Sequence, residues 1–215
     1  MREGTVGAII QARMASTRLP GKTLMEIGGK PLLQHVVEAA QKAFYVEKVV
    51  VATTWLKENK PLIEWAESNN VLCFIYNGPD EDTMARTLAA AKAFHIDHIV
   101  RVTPDCPLLE PERIGYVVGA YLCLPENYDY VSNLGSPDYI DGLDVEVFSR
   151  EALEKAFSME TTDFEKEHST QILRKSGWFK ACSVPMGFTQ PWIKLSVDTD
   201  DDLEFVRAVY RRMGR

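Results

Sequence analysis

The sequence predicts an α/β fold: repeated βα units around a largely parallel sheet. Two observations lead there. Short, β-branched apolar runs alternate with segments of helical periodicity along most of the chain. Polar loops follow the runs, at the carboxyl ends where parallel sheets bind ligands.

The elements follow in order. Val6–Ile10 reads as a buried strand, bounded by Gly and polar residues. Leu32, Leu33, Val36, Val37, Ala40 and Phe44 share one helical face, and Pro31 suits the first helical position. Lys48–Thr53 is a second buried strand, a helix covers Pro61–Asn69, and a strand lies around Leu72–Tyr76. Met84, Leu88, Ala91 and Phe94 stripe the next helix, and Asp80, Glu81 and Asp82 before it are accounted for by its dipole. Ile96–Val102 is a strand, Glu112–Leu122 a helix and Tyr128–Ser132 a strand. In Gly142–Phe148, apolar Leu143, Val145 and Val147 alternate with Asp144 and Glu146, the pattern of a half-exposed strand. Arg150–Ser176 reads as polar and helical, Phe179–Val184 as a strand and Ile193–Val197 as an alternating strand before an acidic helix start.

The length of 215 residues fits one α/β domain spanning 1–215. A net charge of −7 argues against a general nucleic-acid footprint and leaves a small anionic ligand as the partner of any local basic loop. No apolar run approaches a membrane span, and the N-terminus lacks a secretory apolar region. Cys73, Cys106, Cys123 and Cys182 are dispersed without a CxxC pair, so neither a disulfide framework nor a zinc site is expected. A cytoplasmic location follows.

Three polar clusters carry the chemistry. After the first strand, the loop through Arg13, Ser16, Thr17, Arg18, Pro20, Gly21 and Lys22 contains cations and hydroxyls but no acid, which suits a polyanion such as a nucleoside triphosphate. Gly21-Lys22-Thr23 ends like a P-loop, but Ser16 stands where that motif needs Gly. The second cluster is Asp105, at the end of the Ile96–Val102 strand, either a Mg²⁺ ligand or a turn residue. Its neighbour Cys106 reads as a small core residue. The third is Val197–Val206, where Thr199 and Asp202 form a capping box and Asp198 is left free for metal. Asp141, Asp144 and Glu146 face a polar co-substrate or simply solvent, and His168 binds substrate or lies on the surface.

ARMASTRLPGKTL with GGKPLL resembles the opening signature of the sugar cytidylyltransferases, the 3-deoxy-manno-octulosonate and acylneuraminate types. VRVTPDCPLLEP resembles their metal-aspartate loop, and VDTDDDLEFV their closing aspartate motif. DYVSN, DGLDVEVFS and EHST point closer, to the SpsF-like spore-coat polysaccharide branch. The resemblance spans most of the chain. It implies a GT-A-like nucleotide-diphospho-sugar transferase fold, a Rossmann-like three-layer sandwich with a mostly parallel sheet. It implies a cytoplasmic Mg²⁺-dependent enzyme, a likeness extending to homodimers, that transfers CMP from CTP to an acidic sugar and releases pyrophosphate. Ala12, Arg13, Ser16, Arg18, Lys22 and Arg86 would bind nucleotide, with Arg13, Lys22 and Asp105 catalytic. Asp105 and Asp198 would bind Mg²⁺, and Asp141, Asp144, Glu146 and His168 the acceptor, within a subregion of roughly residues 140–195 that would also serve dimerisation. Two other readings fit the same fold: a glycosyltransferase using a nucleotide-sugar donor, for which Asp198-Thr199-Asp200 has the letters of a metal motif, and a non-catalytic nucleotide-binding protein.

Overall fold

The computed structural model describes residues 2–159, 161–187 and 193–214. Residues 160 and 188–192, inside the segment expected to receive the acceptor, lie outside the described residues. The chain begins with β1 (Val6–Gln11), then a small hairpin of β2 (Glu26–Ile27) and β3 (Lys30–Pro31), α1 (Leu32–Lys42), β4 (Lys48–Thr54) and α2 (Lys60–Ser68). It continues with β5 (Leu72–Tyr76), α3 (Thr83–Ala93), β6 (His98–Val102), α4 (Pro111–Cys123), β7 (Tyr130–Ser132) and β8 (Glu146–Ser149). The remaining elements are α5 (Arg150–Ser158), α6 (Asp163–Glu167), α7 (Gln171–Lys175), β9 (Ala181–Ser183) and α8 (Asp200–Arg212).

The fold is α/β, around a seven-stranded, mostly parallel mixed sheet in the order β5-β4-β1-β6-β8-β7-β9. β1 runs parallel to both β4 and β6, with Gly7 opposite Lys48 and Val6 opposite His98. β8 is antiparallel to β6 and to β7. Strand direction therefore reverses between β6 and β8, beside the loop that carries Asp105.

Both sheet faces are covered. Ala8, Ile10, Val100, Val145 and Val147 face Leu33, Val36, Leu62, Val117 and Tyr121 on one side. Ile9, Ile99, Tyr130 and Phe148 face Met84, Leu88, Leu153 and Leu173 on the other. The helices begin where side chains replace missing turns of backbone bonding: Asp82 accepts from the Ala85 amide, Ser149 from the Ala152 amide, and Thr162 and Glu165 form a capping box.

Several elements differ from the sequence-based expectation. Phe44 is not on the α1 face; α1 ends at Lys42 and Phe44 is 76% exposed. The strand expected at 142–148 is shortened to β8. Gly142 turns there with φ +98°, and Asn133 replaces the ladder by donating to the Leu143 carbonyl and accepting from the Val145 amide. The half-exposed reading of this strand fails because β8 is central, between β6 and β7, so Glu146 is only 1% exposed. Helical 150–176 is divided into α5, α6 and α7. Residues 193–197 form no strand, only a parallel bridge between Asp141 and Lys194. That crossing is close: a Cβ on Gly142 would lie 2.3 Å from the Ser196 nitrogen, so only glycine fits.

Candidate active site

The loop after β1 is closed by its own backbone. The Gly21 amide donates to the Met14 carbonyl, the Leu19 amide to the Ser16 hydroxyl, and Thr23 Oγ1 to the Arg13 carbonyl. Asn59 Oδ1 accepts from the Met14 amide and ties the loop to the region after β4. Gly21, at φ +75°, turns the chain so that a single 3-10 turn, Lys22–Leu24, starts at the cleft. Ser16 thus serves the loop's own geometry through its hydroxyl, while Ala12 is buried and continues the sheet by donating to the Ala52 carbonyl.

Lys22 is the centre of the arrangement. Its Nζ donates to Asp105 Oδ2 at 2.8 Å, to Asp198 Oδ1 at 3.1 Å and to the Val197 carbonyl at 2.7 Å. The two aspartates arrive from elements far apart in sequence. Asp105 follows β6, and Asp198 lies just before α8, whose capping box of Thr199 and Asp202 fixes the approach. The Val197 amide donates to the Asp105 carbonyl at 2.9 Å, joining the two segments directly. Asp198 also accepts from Arg18 at 2.9 Å and pairs with Lys194 at 3.1 Å. Burial pushes its carboxyl up, but hydrogen bonds and charge from Lys22 and Lys194 outweigh it and hold Asp198 below the usual carboxylate range.

Beneath the loop, Arg86 is 1% exposed, with Nε on Gln11 Oε1 and Nη1 on the Asp80 carbonyl at 2.9 Å. Burial lowers the Arg86 pKa, opposed by the charge of Asp80. Asp80 therefore does more than serve a helix dipole: its carboxylate accepts from Thr54 at 2.7 Å and stands 3.7 Å from Arg13. Arg13 also donates to Glu167 at 3.2 Å. Arg101 of β6 pairs with buried Glu146, whose other oxygen accepts from the Tyr130 hydroxyl at 2.6 Å.

A cleft of about 380 Å³ brings together Arg13, Ser16, Arg18, Lys22, Arg86, Asp105, His168 and Asp198 of the expected residues. It is not lined by Ala12, Asp141, Asp144 or Glu146. Ala12 is buried below the loop. Asp141 is engaged through its carbonyl, which accepts from the Leu195 amide. Glu146 is enclosed in the sheet, with both oxygens occupied. His168 is exposed, beside the Phe164 ring at 4.4 Å. Sequence reasoning missed Arg101 and Gln11 in the lining. Arg101 had a readable signal: a full charge inside the otherwise apolar strand IVRV. Cys106 is buried, and burial with the Asp105 charge raises its thiol well above the ordinary range, which removes it as a nucleophile.

The residues fit a hard divalent cation. Two carboxylates from separate segments converge on one ammonium, and carboxylate oxygens are the donor type that Mg²⁺ takes.

Residues 7–213 match the family model described as cytidylyltransferase. The chain belongs to the cytidylyltransferase family. It is 31% identical to the spore coat polysaccharide biosynthesis protein SpsF of Bacillus subtilis over 96% of this chain and 86% of that protein. Among solved structures, a cytidylyltransferase from Leptospira borgpetersenii superimposes with a TM-score of 0.91 at 32% identity, covering 98% of this chain and 88% of the other. CMP:2-keto-3-deoxy-manno-octonic acid synthetase complexed with CTP superimposes with a TM-score of 0.73 at 19% identity, covering 97% and 99%, a likeness of fold. In this cytidylyltransferase the loop after β1, the β6 loop and the start of α8 meet at one cleft. Among the described residues, no helix is long and apolar enough to cross a membrane.

Proposed function

We propose that this cytidylyltransferase transfers CMP from CTP to a hydroxyl of a sugar acid, releasing pyrophosphate. The observation that carries the reading is the convergence of Lys22, Asp105 and Asp198 at one end of a cleft lined by Arg13, Arg18 and Arg86. Cations surround a place where a triphosphate can enter, and two carboxylates stand ready for its counter-ion. The octonic acid synthetase with the same fold, whose structure contains CTP, supports the choice of nucleotide. SpsF, named for spore coat polysaccharide biosynthesis, supports a role in making surface polysaccharide.

In this reading an acceptor oxygen attacks the α-phosphorus and the bond to pyrophosphate breaks. Lys22, Arg13 and Arg18 bind the phosphates and stabilise the charge that builds up on the leaving group. Arg86, fixed by Gln11 and Asp80, holds the nucleotide side of the cleft rigid. Asp105 and Asp198 would hold Mg²⁺, which would supply Lewis-acid polarisation of the phosphoryl oxygens. Residues 140–195 form the acceptor side, with His168 at the rim, and two copies of the chain pair through the same segment.

A pyrophosphate-release screen tests this, crossing four nucleoside triphosphates with acidic and neutral sugars. The expected result is release with CTP and an acidic sugar, lost on chelation and restored by Mg²⁺. Nucleoside diphosphate released from a nucleotide-sugar donor would replace the proposal with glycosyl transfer. A mass of one chain by light scattering would remove the dimer.

A further inference from the structure

The cleft has two halves, and the nucleotide reading uses one. Arg13, Arg86 and Asp80 belong to the side of β1, β4 and β5. The other side begins at the reversal between β6 and β8, where Arg101 stands opposite Glu146 in the ladder. Glu146 has no oxygen left for a ligand, because one accepts from Arg101 Nη1 and the other from Tyr130. Arg101 is different. Its side chain is 23% exposed and lines the cleft, and among the described residues it makes no other hydrogen bond. A guanidinium carries five N–H donors in a planar fork, so most of them remain for a ligand.

Groups of both signs stand around it. Arg174 of α7 lies within electrostatic reach of Tyr130, and its Nε is buried without a partner. Asp144, close enough to interact with Arg101, has Oδ1 buried without a partner. The unspent N–H donors of Arg101, and not the net charge around it, are what a ligand can use. The tether to Glu146 also keeps the fork from swinging towards the phosphates. A planar, bidentate anion matches such a fork best.

Building on the proposed function, we infer that Arg101 is the specificity-determining residue that receives the acceptor's carboxylate, with Glu146 and Tyr130 as positioning residues. The acceptor is then a sugar acid rather than a neutral sugar. An acceptor without the carboxylate leaves the fork's donors unpaired in a partly dry site, and that mismatch rejects it.

The test uses the enzyme with Mg²⁺ and a non-hydrolysable CTP analogue. A hexuronate, an eight-carbon 3-deoxy-2-oxo acid and N-acetylneuraminate are titrated by calorimetry, each beside its methyl ester. Wild type is expected to bind at least one acid on the order of 30-fold tighter than its ester. Arg101→Met alone would strand Glu146, so it is paired with Glu146→Gln, which removes both charges together. That double variant should lose the preference, and Arg101→Lys should retain part of it, while affinity for the CTP analogue stays within about twofold. Equal binding of acid and ester by wild type, or binding of no acid, overturns the inference. So does a double variant that keeps the preference, or one that loses affinity for the CTP analogue instead. Failure of the proposed function is read separately, as acids that bind without pyrophosphate release from CTP itself.

Discussion

At the scale of single residues, the centre of the cleft is an ammonium between two carboxylates. Lys22→Ala and Asp105→Asn are each expected to cost about 3 kcal/mol of transition-state stabilisation, about 10²-fold in pyrophosphate release. Activity near the wild-type level in either variant would refute their roles. The Arg101–Glu146 pair makes a separate prediction about stability. Glu146→Ala strands a guanidinium in the sheet and should destabilise the fold by about 3–5 kcal/mol in urea unfolding. Asp144 makes a third. Burial pushes its carboxyl up to about 7, although the Tyr139 hydrogen bond pulls the other way. The unfolded carboxyl titrates near its ordinary value of about 3.9. Between those values the folded chain keeps a proton that the unfolded chain has lost, so this group's contribution falls as pH rises from about 4 to 7. Asp144→Asn should therefore gain stability over wild type above pH 7, with the difference fading by pH 4. Of this chemistry, the sequence made Lys22, Asp105 and Asp198 legible, because each stands in a polar loop at a strand end or helix start. Glu146 and Asp80 were misread because their surroundings come from distant elements: β7 and β6 enclose Glu146, and Thr54 and Arg86 enclose Asp80.

At the scale of elements, α8 is the best example of local sequence fixing a functional position. Thr199 accepts from the Asp202 amide, while Asp202 accepts from the Asp198 and Thr199 amides and from Lys194. Burial raises the Asp202 carboxyl, but these hydrogen bonds outweigh it and bring it down to about 2. Thr199→Ala should cost about 1 kcal/mol by thermal unfolding, and it should also lower turnover because the cap sets the backbone of Asp198. A stability loss with turnover unchanged would separate the cap from the site. The box was readable because both partners lie within one helical turn. The limits of β8 were not, because Asn133 and Gly142 replace ladder bonds that alternation alone would extend.

At the scale of the whole molecule, the described part of the segment 140–195 does not stand apart from the first half. It supplies β8 to the middle of the sheet and β9 to its edge, and Phe148 and Leu153 share a core with Ile9 and Val50. Calorimetry should accordingly show one cooperative unfolding transition, whereas two would make this segment an independent unit. The α/β class and the parallel half were legible because periodicity and β-branching are local signals. The reversal at β6 was not, because strand direction is set by how the connections cross the sheet. The final helix closes the molecule: Leu203, Val206 and Tyr210 pack on Leu19, Ile27 and Leu32, Tyr210 donates to the Pro107 carbonyl, and Arg207 to the Glu26 carbonyl. That packing has a consequence in time. As the polypeptide leaves the ribosome, the seven described strands of the main sheet emerge before Asp198 does, so a nascent chain can assemble its scaffold while Lys22 still lacks one of its two anions. Competence therefore waits on the segment that carries Asp198.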